Sequence, residues 1–478
     1  MKYMACLVML LLTFAACSPD SDASDPGSIT NKTYTLHFNL SPVSGSSASS
    51  RAETYTAGSP NTWEDGSKEE NMKSWTVVFV KPDGTVAKVV KQPSVEEGND
   101  KEDVVTVTGL EAGTKYTVYS FANISDTELG KLGTITEGSP SLDFDSKTFA
   151  VNGNDMDITK YGIPMSNKQT VTIGPDGQPD VKQLYVVRML SKITLKFRNM
   201  TGEDITVKNV SISDITSNPA TGAENIKLLP ANNVVSSTYV AQTPNLVENA
   251  KRDDFTHEIT SGLTVAKNTT DYDNSRSVSF YVNESQAGNA YPYFVVMLET
   301  NVGSQRYFMY TDWNQIARND HHVLKLALSD YKLRLKVEDF GSVGSTPALK
   351  DDGKQLNLIF HDLEEFHIVP SVTKYSDPTG AEVSFTDLKW TRLSESETGA
   401  ESKAFSTIPY IVTGENRIEA ETKGELGKKI GPIVYQLSVK VADGSADSPT
   451  LVYRVAISQD LTWYSARRHN GAFWICKQ

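Results

Sequence analysis

No stretch of this 478-residue chain sustains a helical repeat; its apolar residues come in short runs that alternate or pair like strands. Trp75 to Val80 is one such run. Lys81-Pro-Asp-Gly84 follows, then Thr85 to Val90, which reads as a hairpin with a Pro-Asp-Gly turn. Runs rich in Val, Ile, Tyr, Phe and Thr recur at 104–107, 116–121, 191–197, 277–282, 293–298, 306–310 and 323–328. Only short helices are expected, for example around Trp313 to Arg318. Many short strands joined by polar turns predict an all-β chain of stacked sandwiches. The turn Gly174-Pro-Asp-Gly177 and the interruptions at Gly341, Gly344 and Pro347 divide it into bodies at 52–182, 183–338 and 339–478.

The N-terminus has a different character. Lys2 is followed by an apolar run, Ala5 to Phe14, too short to span a bilayer as a stable helix. Phe14-Ala-Ala-Cys17 resembles the bacterial lipobox, with Phe14 where Leu is more usual. Cys17 is then the acylation site, residues 1–16 are a signal peptide, and the chain is exported as an outer-membrane lipoprotein precursor. Of the cysteines, Cys6 leaves with the signal and Cys17 carries lipid. Cys476 remains alone, so the mature chain holds no internal disulfide. A net charge of −13, spread without basic clusters, argues against nucleic acid as a partner.

Thr33 to Leu40 alternates cleanly. Tyr34, Leu36, Phe38 and Leu40 share one face; Thr35, His37 and Asn39 share the other. Ser41 to Ser50 is a Ser-rich segment closed by Arg51-Ala52, a composition that proteases reach easily. One reading is a strand followed by a long loop with an exposed arginine. The other is a propeptide, 17–51, whose strand is removed by cleavage between Arg51 and Ala52, leaving an open groove. A strand-deep groove is a template for another chain's strand.

Three further stretches carry a resemblance to the fimbrillins, subunits of protease-assisted (type V) pili: Tyr161-Gly-Ile-Pro-Met-Ser-Asn167, Val187-Arg-Met-Leu-Ser-Lys192 with the strand to Phe197, and Ile316-Ala-Arg-Asn-Asp-His-His-Val323. With the lipobox and the Arg51 loop they span about residues 1–335. The resemblance implies tandem Greek-key, transthyretin-like β-sandwiches, to which residues 339–478 add a further β-rich domain. It implies lipoprotein export, cleavage at Arg51–Ala52, and Tyr34, Leu36, Phe38 and Leu40 as the exchangeable strand. Its partners would be other pilin subunits through strand donation, the outer membrane through Cys17 before cleavage, and a host or bacterial surface ligand. Its final location would be the fimbrium on the cell surface. The C-terminal tail, Leu461 to Gln478, is either a donor strand or the last strand of the added domain; the second case leaves nothing to donate, and a tip or accessory place is favoured over a stalk one. The competing reading is a glycan-binding outer-surface lipoprotein.

No catalytic constellation is present: there is no Gly-x-Ser-x-Gly, His-Glu-x-x-His or phosphate-cradling glycine loop. The chain is read as a non-enzyme without cofactor or metal. His361, Asp362, Glu364, Glu365 and His367 concentrate potential ligands but read better as a solvated loop. His321 and His322 are adjacent on a strand and face opposite ways. Arg467, Arg468 and His469 mix with Trp463, Tyr464 and Trp474; they suggest either a sugar-stacking platform or a packed strand with extended arginine stems.

Overall fold

A computed structural model describes residues 33–43, 68–95, 101–149, 158–217, 225–236, 242–288, 293–309 and, with short interruptions, 311–477. The chain is all-β: the described residues are about 58% strand and 6% helix, built as several sandwiches.

The expected hairpin forms between Trp75–Val80 and Val86–Gln92. Gly84, at φ +83°, makes the turn, and its amide donates to the Lys81 carbonyl at 3.0 Å. All six residues of Trp75–Val80 are buried, because the strand has a core on each face. The hairpin opens a seven-stranded sheet, ordered Val86–Gln92, Trp75–Val80, Lys115–Ala122, Met165–Thr172, Gln183–Arg188, Thr33–Pro42, Asp103–Glu111. The sheet curls until its two halves face one another: the Phe38 ring, near one end, lies 5.6 Å from that of Phe79, near the other.

The second body is a four-stranded sheet (Arg252–Val265, Ile205–Thr216, Phe294–Thr300, Ser304–Met309) over a three-stranded one (Ser277–Asn283, Leu190–Asn199, His321–Leu328). Ile193, Leu195 and Phe197 meet Val207, Val210, Ile212 and Leu298 in one core. The third body packs Tyr331–Asp339, Glu365–Lys374, Ile418–Thr422 and Phe405–Ile411 against a five-stranded sheet that includes Lys429–Val441 and Thr450–Asp460. The tail strands Tyr464–His469 and Ala472–Lys477 pair with each other.

These pairings set two strands on the other side of the borders drawn at 182/183 and 338/339. Gln183–Arg188 hydrogen-bonds within the first sheet, and Tyr331–Asp339 pairs with Glu365–Lys374 of the third body. Turn residues mark where a chain bends, not which sheet the next strand joins.

Near Trp313–Arg318 the described residues hold no α-helix: Asn314 is 3-10 helical and the chain then turns into a strand. Gln315–Ile316 pairs with Ser285–Gln286 instead. Arg318 turns inward, fully buried, and donates to Glu284 at 2.5 and 3.1 Å and to the carbonyls of Leu228 and Lys227. That buried ion pair outweighs any local helical preference, since leaving either charge alone in the interior would cost several kcal/mol, roughly 3–5. The longest described helix, Asp126–Leu132, is seven residues long, in keeping with the expectation of short helices only; Ser125 caps it by accepting from the Glu128 amide at 3.2 Å.

Candidate functional site: the first strand and its junction

Thr33–Pro42 occupies an interior position in the first sheet. It runs antiparallel to Asp103–Glu111, with Leu36 opposite Val107 and Phe38 opposite Val105, and parallel to Gln183–Val186. Among the described residues Asp103–Glu111 has no other strand partner. Lifting the first strand out would therefore orphan one neighbour and open the edge of the other.

Leu36, Phe38 and Leu40 are buried at 4%, 0% and 0% exposure. Tyr34 is half-buried and packs on the same core. Its ring lies against Gly177, where an added Cβ would come within 2.4 Å of it, so the Pro-Asp-Gly turn at 175–177 needs its glycine both for space and for its φ of +78°. The opposite face is wet. His37 shares a hydrogen bond with the Thr106 hydroxyl at 3.0 Å, while Thr35 and Asn39 are exposed. The alternation read from the sequence is the alternation of burial.

The end of the strand is held by a junction that gathers all three of the sequence stretches singled out above. The chain passes from the first sheet to the second almost without a break, through Gln183–Arg188 and then Leu190–Asn199. Arg188 lies at the crossing, 7% exposed. Its Nη1 donates to the Val43 carbonyl at 3.0 Å and to Asn319 Oδ1 at 3.2 Å; its Nε donates to the Glu70 carbonyl at 3.0 Å. Asn319, in the left-handed region at φ +63°, returns its own amide to the Leu190 carbonyl. The Met189 amide donates to Pro164 O, and the Ile163 amide to Glu69 O. Four residues further on, Lys192 Nζ meets the buried carboxylate of Glu70 at 2.7 Å, and the Tyr281 hydroxyl donates to the same oxygen at 2.6 Å. Burial lowers the Arg188 pKa to about 10, with Glu70 opposing the shift, so the side chain stays a cation at neutral pH.

Val43 is the last described residue before 44–67, and Glu70 closes the short turn Lys68–Glu70 just beyond that span. A single buried guanidinium thus ties together the residues that flank 44–67, the span that contains Arg51. Glu70 was not singled out in the sequence. Its only signal was the Arg-x-x-x-Lys spacing, which places two cations near one face and calls for an acid.

We expect Arg188→Met to lower stability of the first two sandwiches by about 2–4 kcal/mol, because three buried acceptors lose their donor. Hydrogen exchange should quicken first at the Val43 amide, which bonds to Val186 O. Unchanged protection there would show that Arg188 does not hold the strand.

Cys17, Arg51 and Ala52 lie outside the described residues. The candidate ligands of the third body are partly drawn together: Glu365, His367 and Glu419 bring ligand atoms within 4.8 Å of one another. Glu419, however, accepts from the Tyr410 hydroxyl at 2.7 Å and lies 3.6 Å from Arg417, so the group reads as a salt-linked cluster. His361 is not part of that group; its Nδ1 lies 3.1 Å from the Asp460 carbonyl. His321 bonds Thr194 Oγ1, while His322 is buried behind the same strand, its pKa lowered to about 3 by burial and by His321. The side chains of 463–478 lie outside the described ones, so the aromatic and basic tail stands as a sequence reading.

Residues 35–228 match the family model of the major fimbrial subunit protein (FimA). Among curated proteins nothing matches. Among solved structures, similarity extends to a candidate cell adhesion protein from Parabacteroides distasonis, 14% identical, over 63% of this chain and 87% of that one, at a TM-score of 0.37. It extends also to the tip fimbrial protein Mfa3 from Porphyromonas gingivalis, C-terminally truncated, 12% identical, over 72% and 100% of the two chains, TM-score 0.33. A fimbrial assembly protein from Parabacteroides distasonis is 12% identical, over 68% and 100%, TM-score 0.32. The matched span begins inside the first strand and ends beyond the Arg188 junction, and over it the chain is fimbrillin-like.

Proposed function

We propose that this chain is a tip or accessory subunit of a fimbrium, with a part in adhesion. In this reading it is exported as a lipoprotein through Cys17 and cut between Arg51 and Ala52, and another subunit's strand then replaces its own first strand. The observation that carries the reading is the placement of Thr33–Pro42: interior to its sheet, buried on one face, and followed directly by the Ser-rich segment that ends at Arg51. A fimbrillin-like span supports the structural role. The tip or accessory place rests on the third body as an added domain: its strand Thr450–Asp460 is paired on both edges, with Leu356–Phe360 and Lys429–Val441, and the tail strands after it pair with each other.

The test is to recover the protein from the surface of the cells that make it and determine its N-terminus and mass. We expect Ala52 as the first residue of the assembled form and a lipid-bearing Cys17 on the uncut precursor. Cys17→Ala should abolish lipid labelling. Limited trypsin digestion of the folded precursor should cut early after Arg51. An Arg51→Ala chain still cut in this segment and still incorporated into fimbriae would refute the mechanism.

A further inference from the structure

The second and third bodies meet along a mixed seam. The Tyr293 hydroxyl donates to Gln355 at 2.8 Å, and the Arg454 guanidinium lies 5.4 Å from the Tyr293 ring centre and 4.5 Å from that of Phe308. Beside this contact the two bodies enclose a cleft of about 960 Å³. That is the size of a ligand site, large enough for more than one sugar ring.

The walls combine tyrosine rings with cations. Tyr272, Tyr307, Tyr375 and Tyr453 all line the cleft. Arg198 lies 5.2 Å from the centre of the Tyr272 ring, and Lys332 Nζ 5.8 Å from that of Tyr375. Among the described residues neither Arg198 nor Lys332 pairs with a carboxylate, and Arg198 Nε is buried with no hydrogen-bond partner. The acid in the wall, Asp351, is already engaged: Arg306 reaches it at 3.1 Å and the Tyr453 hydroxyl at 3.0 Å. Two unmatched cations thus face a cleft in a protein of net charge −13. Burial holds the tyrosines un-ionised, Tyr453 at about 12 and Tyr272 and Tyr375 above their usual value, so the rings add no negative charge at neutral pH.

We propose that this cleft binds a carboxylated saccharide. A pyranose packs its C–H face on tyrosine planes, and Arg198 and Lys332 supply the charge that its carboxylate needs. A phosphate ligand fits less well, because the described wall offers neither a glycine loop nor a helix N-terminus to supply backbone N–H groups. The site lies away from the first strand and stands whether or not that strand is exchanged.

The full chain should be titrated by calorimetry with a galacturonic acid trisaccharide, with sialyl-lactose, with the neutral galactose trisaccharide and with AMP. The two acidic sugars distinguish uronic acids from sialic acids as the source. We expect at least one of them to bind about tenfold or more tightly than the neutral trisaccharide, as one charge-assisted contact allows. Arg198→Gln and Lys332→Gln should each remove most of that advantage. Lys332 is exposed, so its variant should melt like the parent and separates binding from folding. Equal affinity for acidic and neutral sugars, no binding of any sugar at millimolar concentration, tighter binding of AMP, or an unchanged Lys332→Gln variant would each overturn the proposal.

Discussion

Protein cut after Arg51 should take up a synthetic peptide spanning Thr33 to Val43, and the intact chain should not. While the segment between Val43 and Glu70 is continuous, the native strand competes at the effective concentration of a short tether, on the order of millimolar. A micromolar peptide would then be outcompeted by about a thousandfold. Once the segment is cut, that advantage is gone, and the departing strand becomes a free ligand like any other. The groove it leaves is specific. It offers backbone pairing to Asp103–Glu111 on one side and Gln183–Val186 on the other, pockets for alternate apolar side chains, and Arg188 waiting for a carbonyl at the place of Val43. A labelled peptide followed by size exclusion reads the result. A peptide with Leu36 and Phe38 exchanged for their polar neighbours in register should fail, because a slip of one residue turns every apolar group outward. Equal uptake by cut and uncut protein would show that this strand is not the exchangeable element, as would no uptake by either.

Phe38→Asp or Leu36→Asp should unfold the first sandwich while the third keeps its own melting transition. Burying Leu36, Phe38 and Leu40 contributes roughly 4–9 kcal/mol as an upper bound, against a domain stability of about 5–15 kcal/mol. Phe38 sits between the two halves of the curled sheet against Phe79, which itself meets Tyr116 edge-on at 6.4 Å. Among the described residues the core around it is apolar, so a carboxylate there would either stay unpaired or open the core. The control lies on the same strand: Thr35→Lys, on the wet face, should change stability by no more than about 0.5 kcal/mol. Calorimetry of the full chain separates the transitions. A first transition that survives Phe38→Asp would mean that the strand is not part of this core.

Much of the fold was legible because a strand writes its burial into its own residues. The period-two pattern at 34–40 needs no knowledge of what lies opposite, and the Pro-Asp-Gly turn at 82–84 demands a left-handed glycine wherever it occurs. The capping pair Ser125 and Glu128 was equally local and could have revealed the helix that follows. The three short stretches that suggested a fimbrillin were also visible, though their reason was not: they are the residues that build one junction, and each makes sense only beside the others.

The partners were hidden. Nothing around Glu70 foretells Lys192 and Tyr281, and nothing around Arg318 foretells Glu284, because a buried charge takes whichever opposite group the topology delivers. The sheet order that sets the first strand between Asp103–Glu111 and Gln183–Arg188 is likewise a property of the whole chain. The tyrosine-lined cleft gathers residues from 198 to 453 across two bodies. The sequence by itself determined that the chain is all-β and which face of the first strand turns inward, since alternation is a local requirement of the pleat. Only the tertiary structure decided which strands pair, which charges meet and where a cleft opens, since those depend on groups brought together from far along the chain.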